Sequence, residues 1–234
     1  MYLKVDIDDK KYILFSDLHI LHKNIEKYEE ESRKKLYKKL NVNNNYDFWV
    51  EFLKQLPKWE IWNLWDFIFN INKDKFLKTI PILELYFNKI KGNLIIWNHF
   101  TWKHKYLNRL DFDRKWNIKW LEEINKRIEN FTKYFNPKLV KAFNIIKNKN
   151  SIYIFTHYPL WSYLQWEINI ELFKKIDKYL LEYIWKEFLN NKNINIINFH
   201  WHTHSRKFYK KLNNKILNKI KYKNVCVDYL INKT

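Results

Sequence analysis

Glycine is almost missing from this chain. There is 1 in 234 residues, where average usage would supply roughly 16. A mixed fold needs glycine where the backbone takes positive φ or lies close against a ligand. Either the fold avoids those conformations, or another residue stands there. Cysteine is equally scarce: Cys226 is the single one, so no internal disulfide can form, which suits a reducing compartment. Its place in an apolar segment reads as core. No stretch approaches the roughly 20 apolar residues that span a bilayer as a helix. Met1 to Lys10 is charged and strand-like and reads as free of a signal peptide. The expected location is the cytoplasm, with no membrane partner. With 4 prolines, 1 glycine and no internal repeat, no flexible linker is visible, and residues 1–234 read as a single domain.

What is present is apolar and basic. Hydrophobic residues make up 47% of the chain, enough for a sizeable core. Lys and Arg number 44 against 25 Asp and Glu, a net charge of +19. One reading is a nucleic-acid surface. The other is AT-rich codon usage, since Lys, Asn, Ile, Phe and Tyr are abundant and the lysines are spread along the chain rather than blocked together. In either case a positive field favours the approach of an anionic phosphoester. Tryptophan is in excess, at 12 residues. The glycine and tryptophan counts, 1 and 12, together make 13, near the usual glycine number. Several tryptophans also stand where a tight turn is expected: Lys58-Trp59-Glu60, Leu64-Trp65-Asp66, Trp97-Asn98-His99, Leu160-Trp161-Ser162 and His200-Trp201-His202. Some bacterial lineages read UGA as glycine, and another code table prints it as tryptophan. Many of the tryptophans are then glycine in the native protein. The alternative is a truly tryptophan-rich protein with base-stacking surfaces. UGG codons at Trp65, Trp97 and Trp201 would exclude the recoding.

Short apolar runs alternate with helical patterns, the mark of an α/β arrangement. Tyr2–Ile7 and Tyr12–Ser16 flank Asp8-Asp9-Lys10 and predict a hairpin. A helix is expected from about Asn24 to Leu40, a break at Asn43-Asn44-Asn45, and a helix over Tyr46–Leu56 before Pro57. Glu60–Leu64 predicts a strand, Asp74–Ile90 a helix and Asn93–Ile96 a strand. A long helical region is expected from about Ile118 to Ile146, broken near Pro137. Ser151–Thr156 predicts a strand, Ile168–Leu189 a helix, Ile194–Phe199 a strand and Asn224–Tyr229 a last short strand.

Metal-ligand residue types fall just past these strand ends. Asp17 and His19 follow the first hairpin, Asp66 follows Glu60–Leu64, and Asn98 and His99 follow Asn93–Ile96. His157 follows Ser151–Thr156, and His202 and His204 follow Ile194–Phe199. In α/β folds the carboxyl ends of strands line the ligand crevice, so residues scattered over the chain can converge. A single histidine after a strand is ordinarily a capping or core residue. The weight lies in five strand ends behaving alike. Imidazoles with carboxylates and one amide oxygen suit borderline divalent ions: manganese, iron, zinc, cobalt or nickel. An Asp can bridge two ions with its two oxygens. The Asp-x-His and His-x-His spacings put alternate side chains on one side of an extended segment.

These blocks resemble the calcineurin-like metallophosphoesterases: Ser16-Asp17-Leu18-His19, Asn63-Leu64-Trp65-Asp66, Trp97-Asn98-His99, Thr156-His157-Tyr158-Pro159 and His200-Trp201-His202-Thr203-His204. The family carries glycine where this chain has Trp65, Trp97 and Trp201. His22, Asn24 and Ile25 resemble a bacterial subgroup with a Gly-His-x-Asn-Ile extension, with Leu21 in place of its glycine. Asn224 to Asp228 is similar to that subgroup's last strand. The resemblance spans about Tyr12 to Tyr229 and implies a four-layer α/β/β/α sandwich with a mixed two-sheet core. It implies two divalent ions, manganese foremost, one held by Asp17, His19 and His204 and the other by Asn98, His157 and His202, with Asp66 as the bridge. The implied activity is hydrolysis of a phosphomonoester or phosphodiester, a hydroxide shared by the two cations attacking phosphorus in line. His99 would protonate the leaving oxygen or stabilise charge in the transition state, and His22, Asn98 and His99 would contact substrate, possible substrates including a nucleotide or nucleic acid. One departure stands out. The family has Asp or Glu after that histidine, which orients the ring, and this chain has Phe100. His104, His200 and Arg206 read as surface or structural residues. Two other functions compete: a non-catalytic scaffold of the same fold, against which all seven ligands count, and a basic nucleic-acid binder without chemistry.

Overall fold

The computed structural model describes residues 1–16, 19, 25–57, 60–63, 81, 85, 94–95, 111–112, 118–119, 140–141, 143–160, 171–200 and 217–232. The chain opens with an antiparallel hairpin of β1 (Leu3–Ile7) and β2 (Lys10–Phe15), in register from Leu3 opposite Leu14 to Ile7 opposite Lys10. Asp8 and Asp9 form its two-residue turn at φ 48° and 64°. Two positive-φ residues in succession match the turn whose twist suits a hairpin, and Asp tolerates that region better than most side chains. The glycine shortage is partly explained here. Among the described residues positive φ falls on Asp8, Asp9, His19 and Asn41, and Asp, Asn and His are the non-glycine residues that enter the left-handed region most readily.

Helices α1 (Ile25–Tyr28) and α2 (Glu30–Leu40) follow, separated at Glu29, so the single helix expected over Asn24 to Leu40 is two. Asn41 closes α2 in the left-handed conformation at φ 55°, its N–H donating to the carbonyls of Lys38 and Tyr37. The Tyr37 hydroxyl donates to Glu26 Oε1 at 2.7 Å. Burial first, and then this bond, hold the phenol above its usual range. Helix α3 (Asn45–Gln55) starts where Asn44 accepts a hydrogen bond from the Asp47 N–H, a side-chain cap. It buries Phe48, Trp49, Phe52 and Leu53, and Phe52 meets Phe15 of β2 edge-on at 5.1 Å.

Further along lie β3 (Glu60–Asn63), β4 (Leu94–Ile95), β5 (Asp111–Phe112), β6 (Ile118–Lys119), β7 (Val140–Lys141), β8 (Asn144–Lys147) and β9 (Ser151–Phe155). Helix α4 (Glu171–Asn190), β10 (Asn195–His200), a 3-10 turn at Leu217–Lys219, β11 (Ile220–Asn224) and α5 (Val227–Ile231) complete the described residues. The fold is mixed α/β. One sheet has the order β1-β2-β3-β4-β7, a second β11-β10-β9-β8, and β5 pairs with β6 alone. Within the first sheet β2, β3, β4 and β7 run parallel. In the second, β9, β10 and β11 run parallel and β8 is antiparallel to β9.

Alternation along the strands decides what meets what. Ile7, Tyr12 and Leu14 of the first sheet share one buried cluster with Phe155 and Phe199 of the second and with Val225 and Cys226. The two sheets therefore meet through one face of each. Phe15, on the opposite face of β2 from Leu14, turns to α3. Along α4, Ile176, Leu180 and Ile184 recur every four residues and are buried, a helical stripe. That helix lies beside β8, with Tyr179 stacked on Phe143 at 5.6 Å and Glu187 paired with Lys147.

Two expectations from periodicity are corrected. The helix expected from Ile118 to Ile146 does not form where the chain is described. Residues 118–119, 140–141 and 144–147 are strands. Asn148 Oδ1 accepts from the N–H groups of Asn150 and Ser151, closing a turn that folds β8 onto β9. The expected last strand Asn224–Tyr229 is also corrected. The strand ends at Asn224 and α5 begins at Val227, while Cys226 makes a single parallel bridge to Ser16. Val225, Cys226 and Val227 are all buried, so their uniform apolarity carried no strand period. Most of Asp74–Ile90 lies outside the described residues, although Pro81 and Leu85 are helical. No helix among the described residues is long and apolar enough to cross a membrane.

Candidate metal centre at the strand ends

The parallel strands of each sheet bring their carboxyl ends to a common edge, and the two edges are joined. Ser16, immediately past β2, bridges to Cys226, two residues past β11, in the parallel sense. The Ser16 carbonyl accepts from Val227 N–H at 3.3 Å, and the His200 carbonyl from Val225 N–H at 2.9 Å. The Phe199 carbonyl accepts from Thr156 N–H at 3.1 Å. A continuous hydrogen-bonded path thus crosses the molecule from the end of β2, through the residues after β11 and the end of β10, to the end of β9.

His19 and His157 are the expected ligands that lie within the described residues. His19 is buried, at 6% exposure, with its backbone at φ 47°. For a residue bearing a Cβ this is a sparsely populated conformation held by its surroundings. Its carbonyl accepts a hydrogen bond from Asn45 Nδ2 at 3.0 Å. His157, at 2% exposure, follows β9, its ring edge-on to Tyr158 at 4.5 Å. Asp17, His22, Asp66, Asn98, His99, His202 and His204 lie outside the described residues, as do Trp59, Trp65, Trp97, Trp161 and Trp201. In sequence each of these seven site candidates comes soon after β2, β3, β4 or β10, strands whose ends share the common edge. No cluster of three or more His, Cys, Asp or Glu that could hold a metal occurs among the described residues, which include only two of the seven expected ligands.

The turn carrying His157 is clamped by a residue that sequence reading did not single out. Asn198, fully buried in β10, accepts from Leu160 N–H at 3.0 Å. Its Nδ2 donates to Thr156 Oγ1 at 2.9 Å and faces the Ile154 carbonyl at 3.2 Å. Thr156 Oγ1 in turn donates to the Tyr158 carbonyl at 2.7 Å, so it must accept from Asn198, and the amide orientation follows. One side chain therefore holds both ends of the turn Thr156–Leu160. In the sequence Asn198 is one of two asparagines within the otherwise apolar run Ile194–Phe199. Asn198→Ala is expected to destabilise the fold by about 1–3 kcal/mol, because it strands buried donors and acceptors; urea denaturation measures it.

His200 is buried at the end of β10, edge-on to Tyr222 at 6.1 Å, in keeping with a structural residue. Cys226 is fully buried, as its apolar setting implies. No family model matches this chain, and no curated protein does. A crystal structure of a protein of unknown function from Aquifex aeolicus is similar to it at 18% identity, covering 94% of this chain and 91% of that one, with a TM-score of 0.48.

Proposed function

We propose that this chain is a cytoplasmic, metal-dependent phosphoesterase. In this reading residues 1–234 form one domain, a four-layer α/β/β/α sandwich with the two-sheet core at its centre. The observation that carries it is the common direction of the strands. The chemistry-bearing blocks follow β2, β3, β4, β9 and β10, and parallel pairing turns the carboxyl ends of these strands one way within each sheet. The Ser16–Cys226 bridge ties the two edges together. That is where α/β folds bind ligands.

The two described members of the ligand set suit a divalent ion, being buried imidazoles just past strand ends. Asp17, His19 and His204 would hold one ion, Asn98, His157 and His202 the other, and Asp66 both. When bound, the pair of ions supplies an acidified water and neutralises charge on the phosphoryl oxygens. The chain's own contribution is placement. Asp66 would be shared by the two ions, Asn98 and His22 would orient the substrate, and His99 would protonate the leaving oxygen or stabilise charge in the transition state. Phe100 offers no carboxylate to His99, so that ring is either oriented by another group or contributes less. The net charge of +19 favours the approach of an anionic substrate.

The glycine-for-tryptophan reading belongs to the same proposal. At positions 65, 97 and 201 an indole would collide with the turn that aims the neighbouring ligand, where glycine would not. The test expresses the chain as written and with glycine at those three positions. Each form is loaded with manganese and assayed on a chromogenic phosphomonoester and a phosphodiester. Two manganese ions per chain and turnover are expected in the glycine form, and less of both in the tryptophan form. Equal activity of the two forms refutes the recoding. No turnover in either, with less than one ion per chain, refutes the enzyme and leaves a scaffold.

A further inference from the structure

We infer that Asn45 is a positioning residue for His19, and that it acts as the last member of a relay starting at the buried Asp228. The inference rests on the reading of His19 as a metal ligand. It concerns residues of α2, α3 and α5 that none of the metal-ligand blocks contains.

The relay is continuous. Asp228, in the first turn of α5, pairs through Oδ2 with Arg33 Nη2 at 2.8 Å, and both side chains are 1% exposed. Arg33 Nη1 donates to Asn45 Oδ1 at 3.0 Å, and Trp49 Nε1 donates to the same oxygen at 3.1 Å. Asn45 Nδ2 donates to the His19 carbonyl at 3.0 Å. Guanidinium and indole can only donate. Two donors on one face of the amide force its oxygen towards them, so its NH₂ must face His19. The amide cannot flip. Rings add rigidity, since the Arg33 guanidinium sits 5.8 Å from the centre of the Phe48 ring and 5.9 Å from that of Trp49.

The end of the relay falls on a strained backbone. His19 sits at φ 47°, a sparsely populated conformation that persists only where its surroundings impose it. A hydrogen bond to the carbonyl of that residue restrains its ψ and therefore the direction of its side chain. Metal ligands are commonly aimed by such outer contacts, and losing one costs about 10–100-fold in metal affinity. The residues that orient His19 are thus distributed over the consecutive helices α2 and α3 and over α5, Asp228 lying 195 positions from Arg33.

Asn45→Asp separates aiming from folding. A carboxylate still accepts from Arg33 and Trp49 but cannot donate to the His19 carbonyl. Asn45→Ala removes the donor without adding charge, and the acceptor with it. The full chain is used, in whichever of the two forms above binds more manganese. Both variants are expected to keep the wild-type circular dichroism and to bind manganese about 10–100-fold more weakly at one of two sites. In the metal-free state the His19 carbonyl carbon resonance should move upfield as its hydrogen bond is lost. Wild-type manganese affinity in both variants, with two ions still bound, overturns the relay and leaves the enzyme reading standing. An unmoved His19 carbonyl resonance also overturns it. A wild-type chain that binds no manganese removes the reading and the relay together.

Discussion

Asp66→Asn is expected to reduce phosphoester turnover by more than about 100-fold, since a ligand should cost more than the 10–100-fold typical of a residue that only orients one. Bound manganese should fall from two ions per chain to less than one. The reason is specific to the bridging role. A carboxylate has two equivalent anionic oxygens and can hold one ion with each, whereas an amide offers one neutral oxygen and an NH₂ that repels a cation. Elemental analysis of the purified chain and a phosphodiester assay measure the two effects. Retained activity with two ions bound would refute Asp66 as the bridge while leaving the other ligands untouched. Loss of metal with a folded chain, seen in an unchanged circular dichroism spectrum, separates a site defect from unfolding.

The second large effect concerns the tryptophans. Trp49→Gly is expected to destabilise the fold by about 4–6 kcal/mol: roughly 3–5 for deleting a buried large aromatic and about 1 for glycine inside a helix. That is comparable with the whole stability of a typical domain, so the variant should be largely unfolded at physiological temperature. Trp49 is fully buried in α3, packed edge-on to Phe48 at 4.5 Å and Phe52 at 5.3 Å, and its indole N–H holds Asn45. Trp185 is the contrast. It lies in α4 at 50% exposure, and Trp185→Gly should cost about 1 kcal/mol, mostly helix propensity. Thermal denaturation of the two variants distinguishes them. A Trp49→Gly chain as stable as wild type would mean that the native residue at 49 need not be tryptophan. The physical expectation is a UGG codon at 49, whatever the codons at 65, 97 and 201 prove to be. Recoding thus becomes a question for each position, decided by whether the site is a turn that needs glycine or a core that needs an indole.

The elements legible in the sequence were those with a clean local signal. The hairpin at Asp8-Asp9, the helix opening after Asn44, the strands starting at Glu60 and Ser151 and the helix ending near Leu189 all follow from caps, turn residues or alternation, and the observed bounds lie within a few residues of the expected ones. Periodicity failed where apolar residues formed a short unbroken run. Asn144 to Lys147 and Asn224 to Tyr229 have no period long enough to separate strand from helix, and only their neighbours decide. Pairing with β9 makes the first a strand. The Ser16 bridge and the Arg33–Asp228 pair accompany the turn of the second into a helix.

The sequence alone determined the alternation of strand and helix, the placing of candidate ligands just after strands, and the excess of positive charge. Those properties are local or additive, and each can be read from a window of a few residues. Tertiary structure decided which strand ends share an edge, through parallel pairing and a one-residue bridge between segments about 200 positions apart. It also decided that Asp, Asn and His take the left-handed positions that glycine would otherwise fill. And it decided that Asp228, Arg33 and Asn45 converge on the backbone of His19. Buried polar groups choose partners by position in space, since each must satisfy its hydrogen bonds where the core places it. No spacing in the chain announces that choice.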